Sequence, residues 1–469
     1  MDLPVIDPPR APRPRPGCRE RLLPARRVTR PPWRRRLAAA LLGLVAGCAH
    51  YQPAPLPDSA GLAPDLGTLD ATPAPGDALG LDAVAALAVR HNPDLRARRH
   101  RLDVAEAQVF AAGLLPDPQL SASLDLPFHN QPGLVTAWGA GLAWDIVQLI
   151  TRPARQEAAH QQARQVRLDL VWQEWQVAQQ ARLTALRVIA ERRRLGLLET
   201  MRDAYAERYR HSARALAEGN LTLDVSGTDL TALLDADSQV AQSEQALAAD
   251  RIALNLLLGL VPGAELPLAP LPRCAPPDAA QTRAALADLP ARRPDLRALG
   301  AGYAGQEASV EAAILGQFPS ISLGASGARD TGDVTSAGLA ATLDLPLFSG
   351  NRGAIAGARA TRGMLAAEYQ ARLAQAAVDV ATVTARQAVV SRQQALLASR
   401  LPTLQTLVER ARGAYAGGDI DALTFLNMEQ TLMNKQLEAI SLEQATCANQ
   451  VALEVLLALP AAATAAPAP

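Results

Sequence analysis

The chain has 469 residues, 49% of them apolar but only 3% aromatic, and its 46 basic and 46 acidic side chains cancel. The balance is uneven, because residues 1–36 hold eleven arginines against Asp2, Asp7 and Glu20, leaving an acidic remainder. An acidic body excludes a nucleic-acid binder built to neutralise phosphates, and an Ala-, Leu-, Arg- and Gln-rich composition favours long helices over an all-β sandwich.

Residues 1–33 are rich in proline and arginine and cannot bury a core. Arg34-Arg35-Arg36, the apolar run Leu37 to Ala46 and the small residues before Cys48 form a secretory signal. The run is too short to span a bilayer. Val45-Ala46-Gly47-Cys48 resembles the bacterial lipobox, in which the cysteine is lipidated and becomes the first mature residue; an ordinary signal peptide with an incidental cysteine is the bland alternative. Residues 1–47 are thus a leader and lipoprotein signal. Residues 48–78, rich in Pro, Ala, Gly and Asp, read as an extended tether. Ala49, not aspartate, follows the cysteine, which fits sorting to the outer membrane.

Beyond the tether the chain is written twice. His91-Asn92-Pro93-Asp94-Leu95-Arg96-Ala97 matches Arg292-Arg293-Pro294-Asp295-Leu296-Arg297-Ala298, and Pro118 matches Pro319 at the same offset. Near the ends Gly219 pairs with Gly418 and Leu254 with Leu453. The first repeat covers residues 79–260, a Pro-rich linker covers 261–279, the second repeat covers 280–460, and 461–469 form a tail.

Each repeat opens with a helix, Leu81–Ala112 or Gln281–Leu315, that ends near proline. Two strands follow: 119–126 and 135–149, then 320–326 and 335–348. Leu120, Ala122 and Leu124 alternate with Ser121, Ser123 and Asp125, and Ile321, Leu323 and Ala325 alternate likewise, a period of two that gives each strand one apolar and one polar face. Long helices come next, 154–217 and 354–415, the second containing Pro402. About 60 residues at 1.5 Å each give about 90 Å, more than a compact domain needs. The chain returns through 222–258 and 421–459. Leu233, Val240, Leu247 and Leu254 recur every seven residues, as do Leu426, Met433, Ile440 and Cys447, which marks coiled-coil seams. Cys447 is read as a small seam residue. Cys18, Cys48, Cys274 and Cys447 lie far apart with no CxxC spacing, so neither a disulfide framework nor a zinc site is expected.

The aromatics Phe128, Trp138, Trp144, Phe318 and Phe348 lie within or beside the strands, as rings do at the interfaces of transmembrane barrels. Four strands cannot close a barrel, and open edges are forbidden in lipid, so several copies must share one; three copies give twelve strands. The competing reading is a small soluble sheet with these aromatics in its core.

The mature chain resembles the TolC-type outer-membrane efflux family, in its lipidated branch. The resemblance is carried by the duplicated helix starts Asn92–Leu95 and Arg293–Leu296, by the segment Leu345-Pro346-Leu347-Phe348-Ser349-Gly350-Asn351-Arg352, and by the turn from Tyr415 through Gly418 to Leu423. It runs from about residue 48 to 460, and departs at Val147–Arg152, where the family's Leu-Phe-x-Gly is missing. The resemblance implies a homotrimer anchored in the bacterial outer membrane and its lipid, with a 12-stranded β-barrel continued by a periplasmic tunnel of coiled-coil hairpins. It implies an export duct for small molecules, drugs or metal ions, fed by an inner-membrane pump and a periplasmic adaptor. Adaptor contact would fall on the hairpin tips Gly219-Asn220-Leu221 and Gly418-Asp419-Ile420.

A duct does no chemistry; its selectivity comes from diameter and rings of charge. Asp224, Asp419 and Asp421 are candidates for the entrance gate, with Arg210, Arg214 or Arg412 as charge partners; the bland reading of Asp224 and Asp421 is stabilisation of helix starts. No enzyme motif occurs, and the six histidines lack metal spacing, so no catalytic residue, metal or cofactor is expected. Arg192-Arg193-Arg194 reads as a solvated face, and Trp172 and Trp175 as helix-interface packing. The alternative function is a periplasmic coiled-coil adaptor or scaffold lipoprotein, which would carry one hairpin flanked by compact β-domains.

Overall fold

The computed structural model describes residues 51–69, 78–128 and 133–459. The leader, Cys48 and the tail at 461–469 lie outside the described residues. The chain divides at Ala60 into two units. In the first, the described residues 51–60 carry no helix or strand and are exposed. The second, from Gly61, holds every named element.

Those elements are α1 (Leu81–His91), α2 (Pro93–Gly113), β1 (Gln119–Asp125), β2 (Ala137–Asp145), α3 (Ile146–Ala217) and α4 (Leu223–Leu257). They continue with α5 (Ala279–Ala287), α6 (Leu289–Arg292), α7 (Pro294–Leu315), β3 (Ser320–Arg329), β4 (Thr335–Asp344), α8 (Arg352–Gly417) and α9 (Ala422–Leu456). The order helix, two strands, long helix, returning helix occurs twice.

The helices expected as single rods at 81–112 and 281–315 are broken. Pro93 and Pro294 offer no amide to the preceding turn, so the chain restarts there with proline in the first helical position. Asn92 caps the new start by accepting the Leu95 amide at 3.1 Å. A further break at Asp288 separates α5 from α6.

The long helices exceed their expected limits. α3 has 72 residues and begins at Ile146 rather than Ala154, running through Pro153. Asp145 explains the early start: its carboxylate accepts the Val147 and Gln148 amides at 3.0 and 3.3 Å. α8 has 66 residues, runs through Pro402 and is entered through Asn351 at φ 53°, whose amide side chain donates to the Ala313 carbonyl at 2.7 Å. At 1.5 Å per residue these rods are about 100 Å long.

Side by side, the helices pack in the order α4, α3, α9, α8, with α7 lying on both α3 and α8. The seam residues Val240, Leu247 and Leu254, and Leu426, Met433 and Cys447, are buried between them. The largest core lies near mid-length of α3. It joins Val84, Leu87 and Ala88 of α1, Ala181, Ala185, Leu186 and Val188 of α3, Leu247 and Leu254 of α4, and Cys447 and Val451 of α9. Each fully buried leucine there contributes roughly 1.5–3 kcal/mol.

A strap from Leu260 to Asp278 wraps this core. Ala63 pairs with its start, the Ala63 amide donating to the Gly259 carbonyl at 2.8 Å and the Val261 amide to the Ala63 carbonyl at 2.9 Å. Leu79 pairs in the same manner beside Leu268. Leu69 is buried in the core, so the stretch expected as a plain tether is fastened from residue 63.

The cysteine expectation is overturned. Cys274 of the strap and Cys447 of α9 form a disulfide across a sequence separation of 173. The spacing carried no sign of it because the pairing is made by tertiary packing, not by a local motif.

Candidate functional site

Two regions of the second unit bear on function: the sheet and the hairpin tips. Among the described residues four strands form one antiparallel sheet in the order β1-β2-β3-β4, in which β1 and β4 each present an unpaired edge. The register places Leu124 opposite Trp138, Leu120 opposite Leu142, Trp144 opposite Leu323, and Ala325 opposite Leu339. Directly paired residues share a face. One face is therefore mainly Leu, Ala and Trp, with Gly327, Arg329 and Thr335 at its hairpin end, while the other carries Ser121, Ser123, Ser322, Ser326, Ser336 and Thr342, with Asp125, Asp145 and Asp344, among glycines and alanines.

The apolar face is not covered. Leu120 is 79% exposed and Leu339 92%. The aromatics do not form a soluble core either: Phe128, Trp138, Trp144, Phe318 and Phe348 are all exposed. The antiparallel topology sorts them into two groups. Phe128 and Trp138 lie at the hairpin end of the sheet. Trp144, Phe318 and Phe348 lie at the helix end, where Trp144 Nε1 donates to the Pro116 carbonyl at 2.7 Å. Trp138 and Trp144, six residues apart on one face, are separated by about 20 Å of strand. Among the described residues no helix is long and apolar enough to cross a membrane.

The two tips are built alike. Gly219 and Gly418 adopt φ 75° and 82°, the left-handed region that glycine enters without steric cost. The Asn220 amide donates to the Ala215 carbonyl at 2.8 Å, and the Asp419 amide to the Ala414 carbonyl at 2.9 Å. Leu221 and Ile420 follow, half-buried, and then Leu223 and Leu423 stand exposed.

The gate candidates separate. Asp421 caps α9, accepting the Thr424 amide and hydroxyl at 2.8 Å each, and the Thr424 amide holds its carboxyl below the usual range. Asp224 lies in the first turn of α4 and is likewise held low, first by the Thr222 hydroxyl. Both serve helix starts. Asp419 is exposed and makes no ion pair among the described residues. Arg210 and Arg214 make none there either.

The charge network near the tips is centred elsewhere. Arg208 of α3 sits 2.8 Å from Asp229 of α4, a charge contact from Nε to Oδ1, and donates to Glu429 of α9 at 3.0 Å. Arg412 of α8 reaches the same Glu429 at 3.2 Å. All four long helices are thus linked. Asp229 is 1% exposed. The Arg208 guanidinium also lies 4.9 Å from the Tyr205 ring centre, and burial, followed by Glu429, pushes the Tyr205 hydroxyl up to about 12. Tyr205, Ala232, Ala236 and Leu426 form a small core beside it. Of this set the sequence singled out Arg412 and Leu426; Arg208, Asp229 and Glu429 stand in no motif, and only their shared helix seam could have drawn attention to them.

Where α7 starts against α3 and α8, Arg293 pairs with Asp295 at 2.7 Å, lies over Trp172 at 4.8 Å, and is joined by Arg372 at 2.8 Å from the same carboxylate. Burial works to raise the Asp295 carboxyl, but Arg293 and Arg372 together hold it below the usual range. The arginine triplet is not a uniform solvated face: Arg192 is half-buried and donates to the Leu266 carbonyl of the strap, while Arg193 pairs with Glu443 at 2.6 Å.

The comparisons with known proteins agree with this geometry. Residues 285–459 match the family described as outer membrane efflux protein. No curated protein matches the sequence as a relative. Solved structures share the fold: the Campylobacter jejuni CmeC outer membrane channel has a TM-score of 0.69 at 16% identity over 81% of this chain and 85% of its own. The open-state Neisseria gonorrhoeae MtrE outer membrane channel scores 0.67 at 18% identity, over 81% and 89%. CusC, described in terms of transmembrane channel formation, scores 0.67 at 20% identity, over 80% and 91%. The second half of the chain thus carries the outer membrane efflux protein pattern over residues 285–459, and about four-fifths of the chain shares its fold with solved outer-membrane channels.

Proposed function

We propose that the chain is the outer-membrane channel of a tripartite efflux system, a passive duct assembled from three copies. The observation that carries this reading is the sheet: an uncovered Leu/Ala/Trp face, a Ser/Gly/Thr face opposite, and two unpaired edges. Unpaired strand edges cannot stand in hydrocarbon. Joining β4 of one copy to β1 of the next removes both edges, turns the apolar face to lipid and the polar face to a water-filled lumen, and three copies give twelve strands. The aromatic groups at the two ends of the sheet then lie at the two membrane interfaces.

The duplicated hairpins continue the duct into the periplasm. The α4 and α8 sides of the helical layer are its free margins, with Leu234 and Ile252 exposed on one and Val378, Val389 and Leu396 on the other. Meeting of these margins between copies closes a tunnel. The glycine tips, with Leu223 and Leu423 exposed beside them, are the surface for a periplasmic adaptor that brings an inner-membrane pump to the entrance. Asp419 is the tip carboxylate left for a threefold ring at that entrance; Asp421 and Asp224 contribute by fixing helix starts. Opening separates the hairpins at the Arg208–Glu429 contact. The cargo is a small molecule, drug or metal ion, chosen by the pump. Cys48 carries the lipid anchor, placing the protein at the bacterial outer membrane.

The test is the mass of protein extracted from isolated outer membranes, by size exclusion with light scattering in detergent. A detergent-dependent trimer is expected. A monomer released without detergent would overturn the duct and favour the scaffold lipoprotein.

A further inference from the structure

We propose, on the extracytoplasmic placement given above, that the Cys274–Cys447 bond is installed by dithiol–disulfide exchange with an oxidised protein disulfide, Cys274 reacting first and Cys447 completing the bond, and that it then locks the strap onto the second hairpin.

The strap explains why a covalent fastening is needed. Its first part is held by backbone pairing up to the Ala269 amide, which donates to the Leu79 carbonyl at 3.0 Å. Beyond that, Pro270, Pro272, Pro276 and Pro277 remove the amides that a ladder would use. Between Ala269 and the helix start at Asp278, one amide finds a partner on α9: Ala275 donates to Gln450 Oε1 at 2.7 Å. Leu271 packs against the core, and the disulfide supplies the remaining link.

The order of reaction follows from exposure. Cys274 is half-buried on a segment without helix or strand, next to exposed Arg273. Cys447 is 2% exposed, on the α9 seam inside the mid-length core. A protein oxidant reaches the strap sulfur and not the seam sulfur. The two residues are 173 positions apart and belong to different packing layers, so their Cα atoms come to 5.0 Å only when strap, α3 and α9 are assembled. Oxidation therefore follows collapse of the helical core.

The chemistry balances as two exchanges. The Cys274 thiolate attacks one sulfur of the oxidant, forming a mixed disulfide and releasing the oxidant's second sulfur as a thiolate. The Cys447 thiolate then attacks the Cys274 sulfur, forming the native bond and releasing the first oxidant sulfur. The chain loses two electrons and two protons, and the oxidant leaves as a dithiol. Such a pair stays reduced among cytosolic thiols and is oxidised outside them.

The experiment is acid quenching of cells producing the full chain, alkylation of free thiols, fractionation, and tryptic mapping under denaturing conditions without reductant. Expected is an outer-membrane protein in which the peptide 274–283 is joined to 436–469 and neither cysteine is alkylated. Cys447→Ala should accumulate a reductant-sensitive adduct with a second protein on Cys274, and Cys274→Ala should give none. Outer-membrane protein with both cysteines alkylated before reduction overturns the proposal while leaving the channel reading intact. Alkylated protein found with the cytoplasm overturns the placement instead. An adduct on Cys447 in Cys274→Ala, and none on Cys274 in Cys447→Ala, overturns the order. The wild-type map needs no variant, so poor folding of either alanine variant does not blunt the test.

Discussion

Arg208 of α3 donates to Glu429 of α9 at 3.0 Å, joining the two hairpins about two and a half turns above the first tip. The same guanidinium neutralises Asp229, which is buried. Removing Arg208 would leave that carboxylate uncompensated, a change that typically costs about 3–5 kcal/mol. Arg208→Ala should therefore lower the thermal unfolding temperature in detergent far more than Arg412→Ala, whose side chain is exposed and whose pairing is worth at most about 1 kcal/mol. If the hairpins part at this contact, Glu429→Gln should also raise the conductance of the channel in planar bilayers. Equal stability of Arg208→Ala and Arg412→Ala would remove Arg208 from the centre of the network.

Acid should weaken the packing of α7 against α8 through Asp295. Its folded pKa lies below the ordinary value, so the unfolded chain binds a proton more readily as pH falls. The stabilisation is complete above the unfolded value of about 3.9 and is lost as pH drops through the lower folded value. Urea titrations of the wild type should show this loss below about pH 4. Asp295→Asn should be less stable at neutral pH and should lack that part of the acid dependence. An unchanged pH profile in the variant would mean that other carboxylates carry it.

The two faces of the sheet should respond oppositely to charge. Leu142 and Ala325 pair at the centre of the apolar face, and Ser326 is on the other. Arginine at mid-membrane on a lipid face costs about 2–4 kcal/mol. Leu142→Arg should reduce assembly into outer membranes, read by fractionation, whereas Ser326→Arg should assemble and shift ion selectivity. The reverse pattern would invert the sheet.

Reduction should loosen the strap. In the chain-entropy account a crosslink closing about 100 residues contributes about 4.7 kcal/mol, and longer loops slightly more. The 173-residue separation of Cys274 and Cys447 places this bond at that upper end. Reductant should lower the unfolding temperature of the wild type and leave Cys274→Ala unaffected. An equal drop in both would place the effect outside this bond.

The tip turns were legible because their causes are local. Gly219 and Gly418 mark positive φ, and Asp421 sits where a helix needs a cap. The alternation of Leu120, Ala122 and Leu124 with polar residues gave the strand face directly. The same local logic placed the start of α3 too late, at residue 154, because the Asp145 cap eight residues before Pro153 carries the helix through that proline.

What the sequence by itself determined is what a few neighbouring residues decide: periodicity, turns, caps, and the repeated order of helix and strand. The Asn92 side chain donates to the Leu257 carbonyl, and Arg293 reaches the Leu456 carbonyl at the matching place in the second half. The aligned prolines announced both helix starts, but only packing revealed what those side chains grip. The Cys274–Cys447 bond, the Arg208 cluster and the pairing of Trp144 with Leu323 depend on which surfaces meet across long stretches of chain. Many pairings satisfy the same heptads and the same cysteine count, and the tertiary structure selects the one that brings α1, α3, α4 and α9 together around the mid-length core.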